Sequence, residues 1–112
     1  MKIEKPWGWY LDLFRTETLV KKILFVKKGE QISFQFHKNR EEVWRFLEGC
    51  GTMRLADSIE SPSVYFQTVP GEVLTIRKEQ LHQVIADKED LLIFEVQSGI
   101  IEELDIQEER NY

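Results

Sequence analysis

The sequence is poor in residues that mark several common classes of protein. Its single cysteine, Cys50, excludes an intramolecular disulfide and is typical of a reducing compartment. No apolar run approaches the roughly 20 residues that a membrane helix needs, and no apolar segment follows the N-terminal lysines as it does in a signal peptide. The sequence therefore predicts a cytoplasmic protein that has no membrane partner.

Positive charge is also scarce. Lysine and arginine total 15 against 20 acidic residues, which gives a formal net charge of −5. Binding to nucleic acid through phosphate neutralisation requires a basic face, so we expect no nucleic-acid partner. Acidic residues cluster in the C-terminal tail, which leaves the rest of the chain nearer to neutral and leaves room for a local basic pocket that binds a phosphorylated metabolite.

Long periodic segments and internal repeats are absent, and 112 residues are enough for one domain only. Short strand-like segments alternate instead with turn signals, the pattern of an all-β sandwich or barrel. We predict a single domain, residues 1–112, with a barrel core over about 19–99, an N-terminal arm over 1–18 and an acidic tail over 100–112 that is a short helix or an extended arm. The predicted strands are Leu19–Lys27, Gln31–His37, Glu42–Glu48, Thr52–Ala56, Ser63–Thr68, Val73–Ile76, His82–Ala86 and Leu91–Gln97.

Histidine occurs only twice, and both histidines lie in segments that also carry other metal-binding side chains. Gln35 and His37 share one face of a predicted strand, Glu42 follows across a turn, and His82 comes from a distant strand. Two nitrogens and two oxygens suit one divalent ion such as Zn, Mn, Fe, Co or Ni. Two alternatives stay open: the four residues are incidental, or Asn39, which has the same parity as His37, replaces Gln35 as a ligand.

The strand that carries Gln35 has its polar face directed into the barrel if these residues bind a metal, so its apolar face is directed outward. Exposed apolar patches of this kind usually mark an interface. We expect the patch to be covered by the segment Trp7–Tyr10 or by a second subunit, preferably in a homodimer with sheets packed face to face. The alternative is cover by a second sheet of the same chain. The outward residues are Ile32, Phe34 and Phe36, and the inward ones are Ser33, Gln35 and His37.

The spacing of these residues between glycines resembles the two motifs of the cupin superfamily, small β-barrels that hold one divalent metal ion. Gly29 and Gly49 enclose the first motif, and Gly71 precedes the second. Over nearly the whole chain, the sequence resembles the type II mannose-6-phosphate isomerase cupin domain, which often follows a guanylyltransferase domain. The matching segments are Lys5-Pro6-Trp7-Gly8, Val20-Lys21-Lys22-Ile23, Lys28-Gly29-Glu30, Ser33 with Gln35-Phe36-His37, Arg40, Glu42, Trp44, Gly49, His82, Glu95-Val96-Gln97-Ser98-Gly99 and Asp105-Ile106.

The resemblance implies an all-β cupin fold, a double-stranded β-helix or jelly-roll barrel, with the Gln, His, Glu and His set as the metal site. It also implies interconversion of mannose 6-phosphate and fructose 6-phosphate. For such an isomerase, Glu95 is the candidate general acid/base. The candidates for binding the substrate, a sugar phosphate, are Arg40, Lys22, Arg54 and Trp44, although each charged group has the alternative of an ordinary surface position.

Five positions depart from the pattern of that family. The family has a histidine-rich run where this chain has Asn39, a histidine in place of Val43, a Pro-x-Gly turn over Arg77–Glu79 and an arginine in place of Gln83. These departures favour an alternative function, a non-catalytic cupin that binds a metal or a metabolite as a sensor or an accessory subunit. A metal-dependent oxygenase is a third hypothesis, weakened by a glutamine at residue 35 in place of another histidine.

Overall fold

The computed structural model describes residues 2–102 and 105–109. These residues form eleven strands: β1 Lys2–Lys5, β2 Gly8–Arg15, β3 Leu19–Val26, β4 Phe34–Phe36, β5 Arg40–Glu48, β6 Gly51–Ala56, β7 Val64–Thr68, β8 Val73–Ile76, β9 Leu81–Ile85, β10 Leu91–Gly99 and β11 Gln107–Glu109. Among them there is no helix long and apolar enough to cross a membrane.

The strands form two antiparallel sheets. The first sheet has the order β1-β2-β3-β10-β5-β8, and the second has the order β11-β4-β9-β6-β7. Residues of β5 alternate between buried and exposed positions from Arg40 to Leu47, as expected of a strand with one face on a core. Trp44 and Phe46 on β5 pack between the sheets with Met53 and Val84 of the second sheet and Ile93 of β10. The prediction of an all-β protein is confirmed.

The N-terminal segment lies in the first sheet. Residues predicted as an arm form β1 and β2, which extend the sheet beyond β3. A side chain at residue 8 would bring its Cβ within 2.0 Å of the carbonyl oxygen of Phe25, and the φ angle there is +150°. Gly8 therefore permits the close approach of β2 to β3, and the same glycine interrupts the alternation that would have indicated a strand.

The C-terminal tail contributes the short strand β11, which pairs with β4 at the edge of the second sheet. This pairing agrees with the extended alternative for the tail. The predicted tail also includes residues 103–104 and 110–112, which lie outside the described part of the chain.

The predicted alternation of faces before His37 holds from Ser33 onward but is wrong for Ile32. Ser33 and Gln35 line the internal cavity, as predicted. Ile32, which was expected on the outer face, is buried in the main core and also lines the cavity. The reason is that residues 32 and 33 lie between an isolated bridge at Gln31 and the start of β4, so the two-residue period of a regular strand does not apply across them.

Phe34, on the outer face of the second sheet, is covered by its own chain. It is 1% exposed and packs with Ala56 and Leu81, while Phe36 is partly buried against them. The guanidinium of Arg54 lies 3.7 Å from the centre of the Phe34 ring. The cover therefore comes from neighbouring side chains of the same sheet, and this patch supplies no reason for a second subunit.

Candidate metal centre

Three predicted ligands converge between the two sheets. The potential ligand atoms of His37, Glu42 and His82 lie within 4.8 Å of one another, and all three residues are buried. The Nε2 atom of His37 is 3.2 Å from Oε2 of Glu42, and Nε2 of His82 is 3.7 Å from Oε1 of the same carboxylate. Gln35 stands directly opposite His82 in the pairing of β4 with β9 and lines the same cavity. The structure thus has a His–Glu–His group that could hold a metal ion.

Backbone carbonyls orient both imidazoles. Nδ1 of His37 is 2.7 Å from the carbonyl oxygen of Asp105, and Nδ1 of His82 is 3.1 Å from that of Gln80. A carbonyl only accepts, so each Nδ1 carries the proton and each Nε2 presents its lone pair on the side of Glu42. Fixing the ring in this way is the usual role of the groups behind a metal ligand.

The Nε2 atom of His82 is the clearest sign that the group fits a cation. It is buried and has no hydrogen-bond partner among the described residues. A buried acceptor without a partner costs about 1–3 kcal/mol, and native proteins contain few of them. A divalent ion between the imidazoles and the carboxylate of Glu42 would satisfy this lone pair.

Burial also keeps the histidines in the neutral form that metals bind. Desolvation lowers the pKa of His37 to about 3, with further lowering by His82 and Arg40. Desolvation likewise lowers the pKa of His82 to about 4. Neither imidazole has to lose a proton near neutral pH to accept a metal ion.

Arg40 lies inside the group of ligands. Its Nε donates to Oε2 of Glu42 at 3.0 Å, and its Nη2 lies 3.3 Å from Nε2 of His37. Because a guanidinium can only donate, the lone pair of His37 accepts this hydrogen bond. The same lone pair cannot bind a metal ion at the same time, so Arg40 and a cation compete for His37. The sequence placed Arg40 at a substrate phosphate, and the competition with a metal was not foreseen.

A pair of carboxylates shares one indole donor. Nε1 of Trp44 donates to Oε1 of Glu42 at 2.9 Å and to Oε2 of Glu95 at 3.2 Å. Desolvation, followed by the charge of Glu42 and a hydrogen bond to it, raises the pKa of Glu95 to about 8. Two adjacent carboxylates resist carrying two charges, so Glu95 holds a proton near neutral pH.

The metal group opens into a cavity of about 290 Å³, close to the lower end of the size range for small-molecule sites. Lys22, Trp44 and Glu95 line it, together with polar residues that the sequence did not indicate. Gln97 has the same strand parity as Glu95 and could have been found from it. Lys5, Tyr10 and Arg15 lie in β1 and β2, which were not predicted, and Glu102 follows β10. These additional residues are Lys5, Tyr10, Arg15, Gln97 and Glu102.

Two candidates are not brought to this cavity. Arg54 lies over Phe34 on the outer face of the second sheet, where its Nε donates to Oγ of Ser63 at 2.9 Å. Asn39 is exposed, and its backbone N–H donates to the carboxylate of Asp105. Neither residue lines the cavity, so Gln35 is the remaining candidate for a fourth ligand.

A sandwich of two antiparallel sheets around a buried His–Glu–His group defines this chain as a cupin. Residues 1–110 match the family described as mannose-6-phosphate isomerase C-terminal, so the chain belongs to that family. The family and the fold class predicted from the sequence are therefore confirmed. None of the curated proteins matches the chain in sequence.

Solved structures give the same fold. The capsular polysaccharide assembling protein CapF from Staphylococcus aureus superposes with a TM-score of 0.84 at 13% identity, covering 96% of this chain and 33% of that one. Oxalate decarboxylase from Bacillus subtilis gives 0.82 at 15% identity, with coverages of 96% and 29%. KdgF from Halomonas sp. gives 0.72 at 14% identity, with coverages of 87% and 84%. The chain spans about a third of CapF, and at these identities the likeness shows the fold alone.

Proposed function

We propose that the protein is a metal-dependent aldose–ketose isomerase that interconverts mannose 6-phosphate and fructose 6-phosphate. One observation carries the proposal: a carboxyl group whose pKa is close to neutral, Glu95, lies in the same cavity as the buried His–Glu–His group. Isomerisation through an enediol requires an acid/base group beside the two reacting carbons and a cation beside their oxygens. Membership of the mannose-6-phosphate isomerase C-terminal family supports the choice of substrate.

The metal ion would be Zn, Mn, Fe, Co or Ni, held by His37, Glu42, His82 and Gln35. When bound, it would supply Lewis-acid stabilisation of the negative charge that develops on the sugar oxygen. The two imidazoles and the carboxylate are borderline ligands that suit each of these ions.

Glu95 would move the proton between the two sugar carbons. Its pKa of about 8 allows the carboxyl both to release and to accept a proton near neutral pH. Trp44 would position it, because its indole N–H holds Glu42 and Glu95 at a fixed separation. Lys22 pairs in register with Glu95 and lines the cavity, so its ammonium is the best placed of the predicted groups to meet the substrate phosphate.

The departures from the family pattern lie away from this chemistry, and this weakens the alternative of a non-catalytic cupin. Val43 is exposed on the outer face of β5, and Gln83 points away from the cavity, donating to the carbonyl of Ile32 at 3.0 Å. Arg77 and Glu79 are exposed in the turn before β9. Glu79 has a φ angle of +67° at the residue where the family turn has glycine, so the backbone shape of that turn is retained.

The test is metal analysis followed by a coupled assay of mannose 6-phosphate conversion after reloading with each candidate metal. We expect one ion per chain, with turnover lost in His82→Ala and reduced by at least about 100-fold in Glu95→Gln. Lys38→Ala, an exposed neighbour of His37, is the matched control and should keep full activity. Bound metal without turnover on any hexose phosphate would favour the non-catalytic binder, and a protein that takes up no metal would exclude both enzyme hypotheses, the isomerase and the oxygenase.

A further inference from the structure

The C-terminal segment lies against the strand that leads into the first histidine. β11 pairs with β4 along all three residues of each strand. On its other side β4 pairs with β9, where Gln35 stands opposite His82. The strand that carries Gln35 and ends just before His37 is therefore held from both sides. Asp105 begins the part of the C-terminal segment that makes this contact.

Asp105 bonds to three consecutive residues of the turn between β4 and β5. It is buried, and its two carboxylate oxygens accept the backbone N–H groups of Lys38 and Asn39, each at 2.9 Å. Its backbone carbonyl oxygen lies 2.7 Å from Nδ1 of His37. The side chain and the main chain of one residue thus hold residues that lie 66 to 68 positions earlier in the sequence.

Other backbone groups complete the bonding of this turn. The carbonyl of His37 accepts the N–H of Glu79 at 2.7 Å, and the carbonyl of Asn39 accepts the N–H of Ile100 at 2.9 Å. Hydrogen bonds to a charged carboxylate are about twice as strong as those between neutral groups. The carboxylate of Asp105 therefore fixes the distance between its own carbonyl and the imidazole of His37 more firmly than backbone bonds alone would.

The position of this carbonyl matters because it orients a candidate metal ligand. Nε2 of His37 lies 3.2 Å from Oε2 of Glu42, and this position depends on the rotation of the imidazole ring. A ring that loses its partner at Nδ1 can rotate, which moves Nε2 away from Glu42. Groups that hold a ligating histidine in this way contribute about 10–100-fold to metal affinity.

We propose that Asp105 is a positioning residue of the metal centre, whose carboxylate fixes the turn at residues 37–39 and thereby holds its own carbonyl against His37. The family pattern includes Asp105, but the sequence analysis gave it no role. The proposal rests on the metal dependence of the proposed function and not on the isomerase reaction, so both can be tested separately.

Metal affinity measured by chelator competition on the full chain tests the proposal. Asp105→Ala should weaken binding by about 10–100-fold. Asp105→Asn should weaken it less, because the amide keeps the size of the side chain and one acceptor oxygen. The asparagine variant decides the matter if the alanine variant does not fold. The visible absorption spectrum of the protein saturated with Co²⁺ should also change in Asp105→Ala, because this spectrum reports the arrangement of the ligands.

Asp90→Ala is the matched control. Asp90 also accepts a backbone N–H from a distant turn, that of Lys28 at 2.7 Å, and it is not among the described residues that line the cavity. Its removal should lower stability but leave the metal affinity and the Co²⁺ spectrum unchanged.

Three results would overturn the positioning role. They are unchanged affinity and spectrum in both Asp105 variants, an equal loss of affinity in Asp90→Ala, and a wild-type protein that takes up no metal. A wild-type protein that binds metal but does not convert mannose 6-phosphate would contradict the isomerase only. The weaker affinity of the Asp105 variants would still support the positioning role in that case.

Discussion

The buried proton on Glu95 leads to a sharp prediction about the stability of the metal-free protein. The pKa of this carboxyl in the folded protein is about 8, against an ordinary value of 4.5. Between these two pH values the folded chain holds a proton that the unfolded chain has released. The free energy of unfolding contributed by this group therefore falls as the pH rises through that window, by about 1.4 kcal/mol per unit and at most about 5 kcal/mol in total.

Glu95→Gln keeps the size of the side chain but removes the titration. We expect the variant to gain stability relative to wild type as the pH rises, by about 3 kcal/mol between pH 5 and pH 7. The histidines act in the opposite direction, because their lowered pKa values cost stability as the pH falls below about 6.5. They are present in both proteins, so comparing the variant with wild type at each pH largely removes their contribution.

The assay is urea unfolding of both proteins at several pH values from 5 to 8 with a chelator present, which keeps metal out of the cavity. Glu60→Gln changes an exposed carboxylate and serves as the control, with a difference from wild type that should not vary with pH. A stability difference for Glu95→Gln that is equally constant would show that Glu95 is ionised in the folded protein. The proposed acid/base role of Glu95 would then lose its main support.

Three further outcomes test other parts of the site. Arg40→Met should tighten metal binding by roughly 10–100-fold in chelator competition, because it removes a competing hydrogen-bond donor and a positive charge beside the ion. Arg77→Met is the control and should leave the metal affinity unchanged. An unchanged metal affinity in Arg40→Met would show that Arg40 does not compete with the ion for His37. Glu79→Gly should raise the free energy of unfolding by up to about 1 kcal/mol in urea by relieving a φ angle of +67°, and a loss of stability would contradict this. Gln35→Leu should weaken metal binding less than His82→Ala in the same competition assay, since an amide is a weaker metal ligand than an imidazole. Equal losses of metal affinity in the two variants would contradict this order of ligand strength.

The sequence predicted the central strands well because their burial alternates with the period of a strand. β8 was predicted with its observed bounds, and β5, β9 and β10 differ from prediction by two residues or fewer at each end. The N-terminal strands were missed because Gly8 and the bulge in β2 near Leu13 interrupt that period. The tertiary contact that Gly8 permits, against the backbone of Phe25, cannot be seen along the chain.

The contents of the site were predictable in part. Three of the four predicted ligands, His37, Glu42 and His82, converge in the structure, and Gln35 lines the same cavity. Part of this arrangement is local, because residues on one strand face, such as Gln35 and His37, must point the same way. The insertion of Arg40 between Glu42 and His37 was not predictable, because it depends on a side-chain conformation that only the packed cavity selects. Arg54 illustrates the same limit, since nothing along the sequence indicates that its guanidinium covers Phe34.

The inward direction of polar residues is the feature that links sequence to function in this chain. Burying a carboxylate or an imidazole costs several kcal/mol of stability unless a partner compensates it. A strand that directs such groups toward the core therefore indicates a functional role for them. Within the described residues, Glu42 finds partners in Trp44 and Arg40, but Nε2 of His82 finds none. No described residue of the metal-free protein compensates this cost, so replacing His82 by an apolar residue of similar size should stabilise that state. A bound metal ion would recover the cost, and His82→Leu should therefore stabilise the metal-free protein while abolishing metal uptake.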